Sequence, residues 1–132
     1  MRVPAAGPLT LDERAFFDGH RSALPLYEAL REAILRIRPE ALLEVKRTQI
    51  SFFDRRMFAA VSFAAVRRAA LRPPVSLTLT IGLARRLEAS RVDQAVEPRP
   101  GRWTHHLMVG SVSEIDEELM EWLREAADFA GR

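Results

Sequence analysis

The residues best suited to chemistry gather at the entry to one strand. Lys46-Arg47-Thr48-Gln49-Ile50-Ser51-Phe52 sets two cations beside side chains that make directional hydrogen bonds. A guanidinium fork at Arg47, with Thr48, Gln49 and Ser51 to orient polar groups, suits a small anionic or amide-bearing ligand. The plainer role for the same residues is capping a strand edge. His105-His106 is the second candidate. Adjacent strand residues point to opposite faces, so the two rings cannot close on one metal ion. His105 shares the apolar parity of Trp103 and Leu107, as a hydrogen-bonded core residue would. His106 falls with Thr104 on the polar parity, where it could contact a ligand or act as a general acid/base. No nucleophile motif or carboxylate spacing builds a triad around it, so no catalytic residue is assigned.

Glu114, Asp116, Glu117, Glu118, Glu121, Glu125 and Asp128 make the last helical segment acidic. Such a ridge could hold a hard cation such as iron, meet a basic partner, or simply be solvated. The residues assign no metal site and no cofactor. The chain has no cysteine, which removes disulfides, thiolate catalysis and cysteine-ligated zinc together. No glycine-rich phosphate loop, helix-turn-helix or ribonucleoprotein signature is present.

Nineteen of the 20 basic residues are arginine, against 18 acids, for a net charge of +2. The charge is nevertheless segregated. Residues 46–102 carry 12 basic and 4 acidic side chains, whereas residues 103–132 carry 2 and 7. The basic stretch is expected to form a rim that includes Arg56 and Arg102. Its partner would be an anionic small molecule or a protein, with nucleic acid as a further option. At 132 residues, 48% hydrophobic and 29% charged, the chain suits one packed domain. No apolar run approaches membrane-spanning length and residues 1–7 lack a signal-peptide pattern, so a cytoplasmic protein is expected, with no membrane partner.

The elements that must position these residues follow from periodicity. Residues 1–9, with Pro4, Gly7 and Pro8, read as a loose arm before a single domain over 10–132. Thr10 and Glu13 form a capping box for a short helix running to about His20. Ser22 is expected to cap a second helix, with Leu26, Tyr27, Leu30, Ala33, Ile34 and Ile37 on its buried stripe, stopped by Pro39. The period then becomes two. Strands are expected over Gln49–Phe53, Met57–Phe63, Ser76–Leu83 and Trp103–Val109, with Pro98-Arg99-Pro100-Gly101 as a turn. Ser113 is expected to cap a final helix burying Ile115, Leu119, Trp122, Leu123, Ala126 and Phe129. The fold class is therefore α+β: an antiparallel sheet of about four strands, with two N-terminal helices and one C-terminal helix on one face.

The opposite face would display Gln49, Ser51, Ser62, Thr78, Thr80, Thr104 and His106. Phe53, Phe58 and Met108 would share it. Bulky side chains on a solvated face call for cover by the arm, a ligand or a second copy, so a homodimer burying Phe53 and Phe58 is compatible with the pattern.

Four segments carry a family resemblance: Lys46 to Phe52, Arg56-Met57-Phe58-Ala59-Ala60-Val61, Arg102-Trp103-Thr104-His105-His106, and Ile115-Asp116-Glu117-Glu118-Leu119 through Trp122. Over residues 20–130 the chain resembles a bacterial family catalogued as domain of unknown function 5655. Its members occur alone or as the tail of larger proteins, some with nuclease-like front halves. The resemblance implies the α+β fold and brings no catalytic residue. A fainter similarity, in element order and the acidic last helix, reaches a family that includes a proposed frataxin-like iron chaperone; it implies an iron carrier. The resulting expectation is a non-enzymatic binding domain. Its working surface is the open sheet face with a basic rim: Arg47, Thr48, Gln49, Ser51, Arg56, Arg102 and His106. Iron handling, or an enzyme using His106, are the alternatives.

Overall fold

A computed structural model describes all residues, 1–132. Thr10 and Glu13 do form a reciprocal capping box, and it opens α1, Leu11–Phe16. α2 spans Leu24–Ile37, and it is led in by a 3-10 turn at Arg21–Ala23. Ser22 lies within that turn and caps nothing; Pro25 in the first helical turn presets the backbone instead. The last helix, α3, runs over Glu117–Ala130. Its N-cap is Asp116, whose carboxylate accepts the Leu119 N–H at 3.0 Å. Ser113, the expected cap, sits one turn earlier in the 3-10 segment Val112–Glu114. Asp116 wins because a carboxylate also benefits from the positive end of the helix dipole.

The sheet is antiparallel and has seven strands, not about four. They are β1 Val3–Pro4, β2 Leu42–Val45, β3 Gln49–Phe53, β4 Met57–Ser62, β5 Leu77–Leu83, β6 Gln94–Arg99 and β7 Arg102–Val109. Their spatial order is β1-β2-β3-β4-β5-β7-β6. The four expected strands are thus consecutive neighbours in the middle, and the three additional ones extend the two edges. β1 comes from the segment expected to be a loose arm: Val3 pairs with Leu43, Pro4 with Leu42, and the Ala5 N–H donates to the Ala41 carbonyl. β6 carries Pro98, which the ladder tolerates because the strand is at an edge and its register slips between Val96 and Arg99.

Parity sorts the two faces. Leu77, Leu79, Ile81 and Leu83 of β5 are buried with Val61, Ala59, Leu107 and Val109 of their neighbours. α3 packs across β4 and β5, and α2 packs beside α3. Together they enclose one core with Tyr27, Leu30, Ile34, Leu119 and Leu123. Phe58 belongs to that core, contrary to its expected place on the opposite face. The cause is a bulge: Phe52 faces Ala59 and Phe53 faces Met57, which leaves Phe58 unpaired and turned inward. A dimer contact through Phe58 is therefore removed.

The N-terminal segment is held by a buried polar cluster. Glu13 accepts hydrogen bonds from the Tyr27 hydroxyl and, at 2.7 Å, from Arg31 Nε. Arg31 also donates to the carbonyls of Ala5 (2.8 Å) and Gly7 (3.0 Å). Burial alone would raise the Glu13 pKa, but the donors from Arg31, Thr10 and Tyr27 outweigh it and hold the carboxyl below its ordinary value. No helix is long and apolar enough to cross a membrane.

Candidate functional site

The face opposite the helices is only partly open. Thr78 is fully buried and its hydroxyl donates to the Ala64 carbonyl at 2.6 Å, so the chain leaving β4 crosses over that end of β5. Met108 is buried on the same side. Phe53 is covered by the N-terminal segment, with the Arg2 guanidinium 3.7 Å from its ring centroid. What stays accessible is a band from Gln49 through Met57 and Thr80 to Thr104.

The seven expected residues fall into two groups along this band. Arg47, Thr48 and Gln49 line a groove of about 600 Å³ with Phe16, His20 and Phe63. There the His20 imidazole stacks on the Phe63 ring, 3.9 Å between centroids. Arg56 and Arg102 line a different pocket, of about 300 Å³, at the far end of the strands. Between the groups lie Ser51 and His106. Ser51 is buried and accepts the Gln49 side-chain amide at 2.7 Å, which makes it a support for Gln49 and not a surface contact. His106 stands opposite Thr80 in the ladder, its Nδ1 2.7 Å from the Thr80 hydroxyl. Burial lowers its pKa, and no carboxylate stands by to orient it.

His105 is a buried core residue, as its parity requires. Its Nε2 accepts the Leu87 N–H at 2.9 Å, pinning the segment after β5. Burial holds its pKa below the ordinary value, and its Nδ1 has no hydrogen-bond partner.

Ion pairing decides which arginines are free to meet a ligand. Arg67 makes a bidentate pair with Asp93, and Arg85 one with Glu125. Arg91 bridges Asp116 and Glu118 and donates to the Glu114 carbonyl, while Arg38 holds Asp54 and Asp128. These pairs take Arg67, Arg85 and Arg91 out of the basic rim and, with Arg124 on Glu121, engage most of the acids of the last helix. No group of three or more acidic or histidine side chains gathers to hold a metal ion. Most of the ridge's carboxylates are tied to arginines.

The 300 Å³ pocket is different. Arg56, Arg99 and Arg102 all line it. None of them has a carboxylate partner: Arg56 donates to the Phe129 carbonyl at 2.6 Å and lies over that ring, and Glu97, the nearest acid in sequence, accepts the Gly101 N–H. Arg99 and Arg102 are directly opposite in the β6–β7 ladder, joined by Pro100-Gly101. Gly101 takes φ +74, the left-handed conformation that a tight turn after proline needs. Thr80, Gly82 and Thr104 form the floor. Arg99 was absent from the expected set. The signal was in the spacing Arg99-Pro100-Gly101-Arg102, because a two-residue turn places its flanking residues side by side.

No curated protein and no solved structure gives a significant match to the chain. A family model does match, over residues 13–130, and so spans α2, α3, the end of α1 and every strand except β1. The chain belongs to the family described as Domain of unknown function (DUF5655).

Proposed function

We propose that this domain is a non-enzymatic binding module for a small anionic ligand, held at the pocket of Arg56, Arg99 and Arg102. One observation carries the reading: three guanidiniums line a single 300 Å³ pocket without an acidic partner, whereas Arg38, Arg67, Arg85 and Arg91 are neutralised. Guanidinium forks match the oxygens of carboxylates and phosphates, and an anion there relieves their mutual repulsion. A compact ligand suits the site better than a nucleic acid, because Arg56, Arg99 and Arg102 converge on one small pocket. The reading assigns His106 no acid/base role, since no carboxylate stands beside its ring to orient it or to stabilise its charged form.

The test is a heteronuclear NMR titration with inorganic phosphate and with acetate at constant ionic strength. Amide shifts confined to residues 80–82 and 99–104, and lost in an Arg99→Gln/Arg102→Gln variant, are the expected result. Shifts that are absent, or that persist in the variant, would overturn the reading.

A further inference from the structure

Gly82 stands in the interior of β5, opposite Thr104, on the accessible face and at the floor of the arginine pocket. Glycine weakens a strand, and one in a strand interior often marks a place where something approaches the backbone closely. The β5–β7 ladder passes through Gly82 without a register shift and its φ is not positive, while on the other side the β4–β5 ladder ends at Ala59 and Ile81, beside the β4 bulge. A Cβ built at this position would meet nothing within 4 Å. The missing side chain is therefore not demanded by packing; it leaves room above the sheet.

The walls around that room are largely apolar. Met57 stands on one side, 42% exposed, with its thioether on the accessible face, where the Gln49 amide contacts it at 3.7 Å. Pro98 and Phe129 also line the pocket. Polar groups on the floor are few, since the Thr80 hydroxyl is already engaged by His106. A sugar would leave most of its hydroxyls without partners. A flat ring over Gly82, with a single charged group turned to the arginines, would satisfy both parts of the pocket. Flat rings pack well on methionine sulfur and on proline, and 300 Å³ sits at the small end of ligand sites.

From this we infer that the ligand is a small planar ring bearing one oxyanion group: the ring lies over Gly82 beside Met57, and the oxyanion meets Arg99 and Arg102. The inference rests on the anion-binding reading above and narrows it to one chemical class. Carboxylate and phosphate monoester share the required chemistry, so both are tested.

The experiment compares benzoate with acetate, and phenyl phosphate with inorganic phosphate, by NMR titration of the full chain. The ring-bearing anion of at least one pair is expected to bind about tenfold more tightly than its ringless counterpart. Gly82→Val, which has open space for its side chain, is expected to abolish that preference. Gly82→Ala provides a smaller graded step, and Met57→Ala removes a wall without touching the backbone; each is expected to reduce the preference. Equal affinity within both pairs, or a preference unchanged in Gly82→Val and Met57→Ala, overturns the inference and leaves the anion site standing. Absence of binding by all four probes removes the anion site itself.

Discussion

Arg99 and Arg102 face each other across the β6–β7 ladder with no acidic side chain paired to either. Like charges directly opposite in an antiparallel pair are unfavourable, and no carboxylate offsets them here as Asp93, Glu125 and Asp116 do for Arg67, Arg85 and Arg91. This uncompensated pair lines a pocket, which ties the local cost to the proposed binding role.

Replacing one member of the pair should therefore separate stability from binding. Arg99→Gln is expected to leave the ligand-free protein as stable as the parent, or more stable by roughly a few tenths of a kcal/mol. The same variant should show a smaller rise in melting temperature on adding phosphate at fixed ionic strength. Thermal unfolding with and without phosphate measures both effects.

The Glu13–Tyr27–Arg31 cluster predicts a pH dependence. The Glu13 carboxyl lies below its ordinary pKa in the folded protein, so the unfolded chain takes up its proton first as pH falls. Its contribution is complete above about pH 4.5, the ordinary glutamate range, and is lost as pH drops through the folded-state value. Glu44 and Asp116 are shifted in the same direction, so the informative quantity is a difference. Urea unfolding between pH 5 and pH 3 should show a shallower slope for Glu13→Gln than for the parent. That variant should also lose about 3 kcal/mol near neutral pH, because Arg31 is left buried without its partner.

Arg31 has a second effect that hydrogen exchange can read. It donates to the carbonyls of Ala5 and Gly7, and so holds the segment that places Arg2 over Phe53. Arg31→Met is expected to speed exchange of the Val3 and Ala5 amides selectively. Exchange in β4 and β5 should change only by the global loss of stability.

Two adjacent histidines, His105 buried and His106 half-buried, act at milder pH. Burial lowers the pKa of His105 and of His106 below the ordinary value near 6.5. A lowered folded-state pKa means the unfolded chain protonates first, so stability is present above about pH 6.5 and declines as pH falls through the folded-state values. Chemical denaturation should show a loss from pH 7 to pH 5, reduced in His106→Gln. For His105 the ring also accepts the Leu87 N–H, so His105→Phe should cost stability at every pH by orphaning that donor.

The start of α3 offers a direct check on capping. Asp116→Ala removes the acceptor for the Leu119 N–H and one partner of Arg91, and should cost about 1–2 kcal/mol in urea unfolding. Ser113→Ala should be close to neutral, since its hydroxyl meets only Ser111.

Periodicity along the chain determined the order of the elements, the helix stripes and the two faces of the central strands. Leu79 lies in the core and Thr80 on the accessible side because alternation in a strand is a local property. The capping box at Thr10 and Glu13 was legible for the same reason. Everything that depended on distant partners came from the tertiary structure. β1 and β2 exist because they pair with each other and with β3; two or four residues carry no period of their own. Phe58 turned inward because a bulge added one residue to β4. Charge segregation was visible in the sequence, but which arginines were neutralised depended on carboxylates 25 to 40 residues away, such as Asp116 for Arg91 and Glu125 for Arg85. Arg56 and Arg102 could be named as candidates from the chain alone, and a two-residue turn sets Arg99 beside Arg102, but the approach of Arg56 to that pair above Gly82 required the folded sheet.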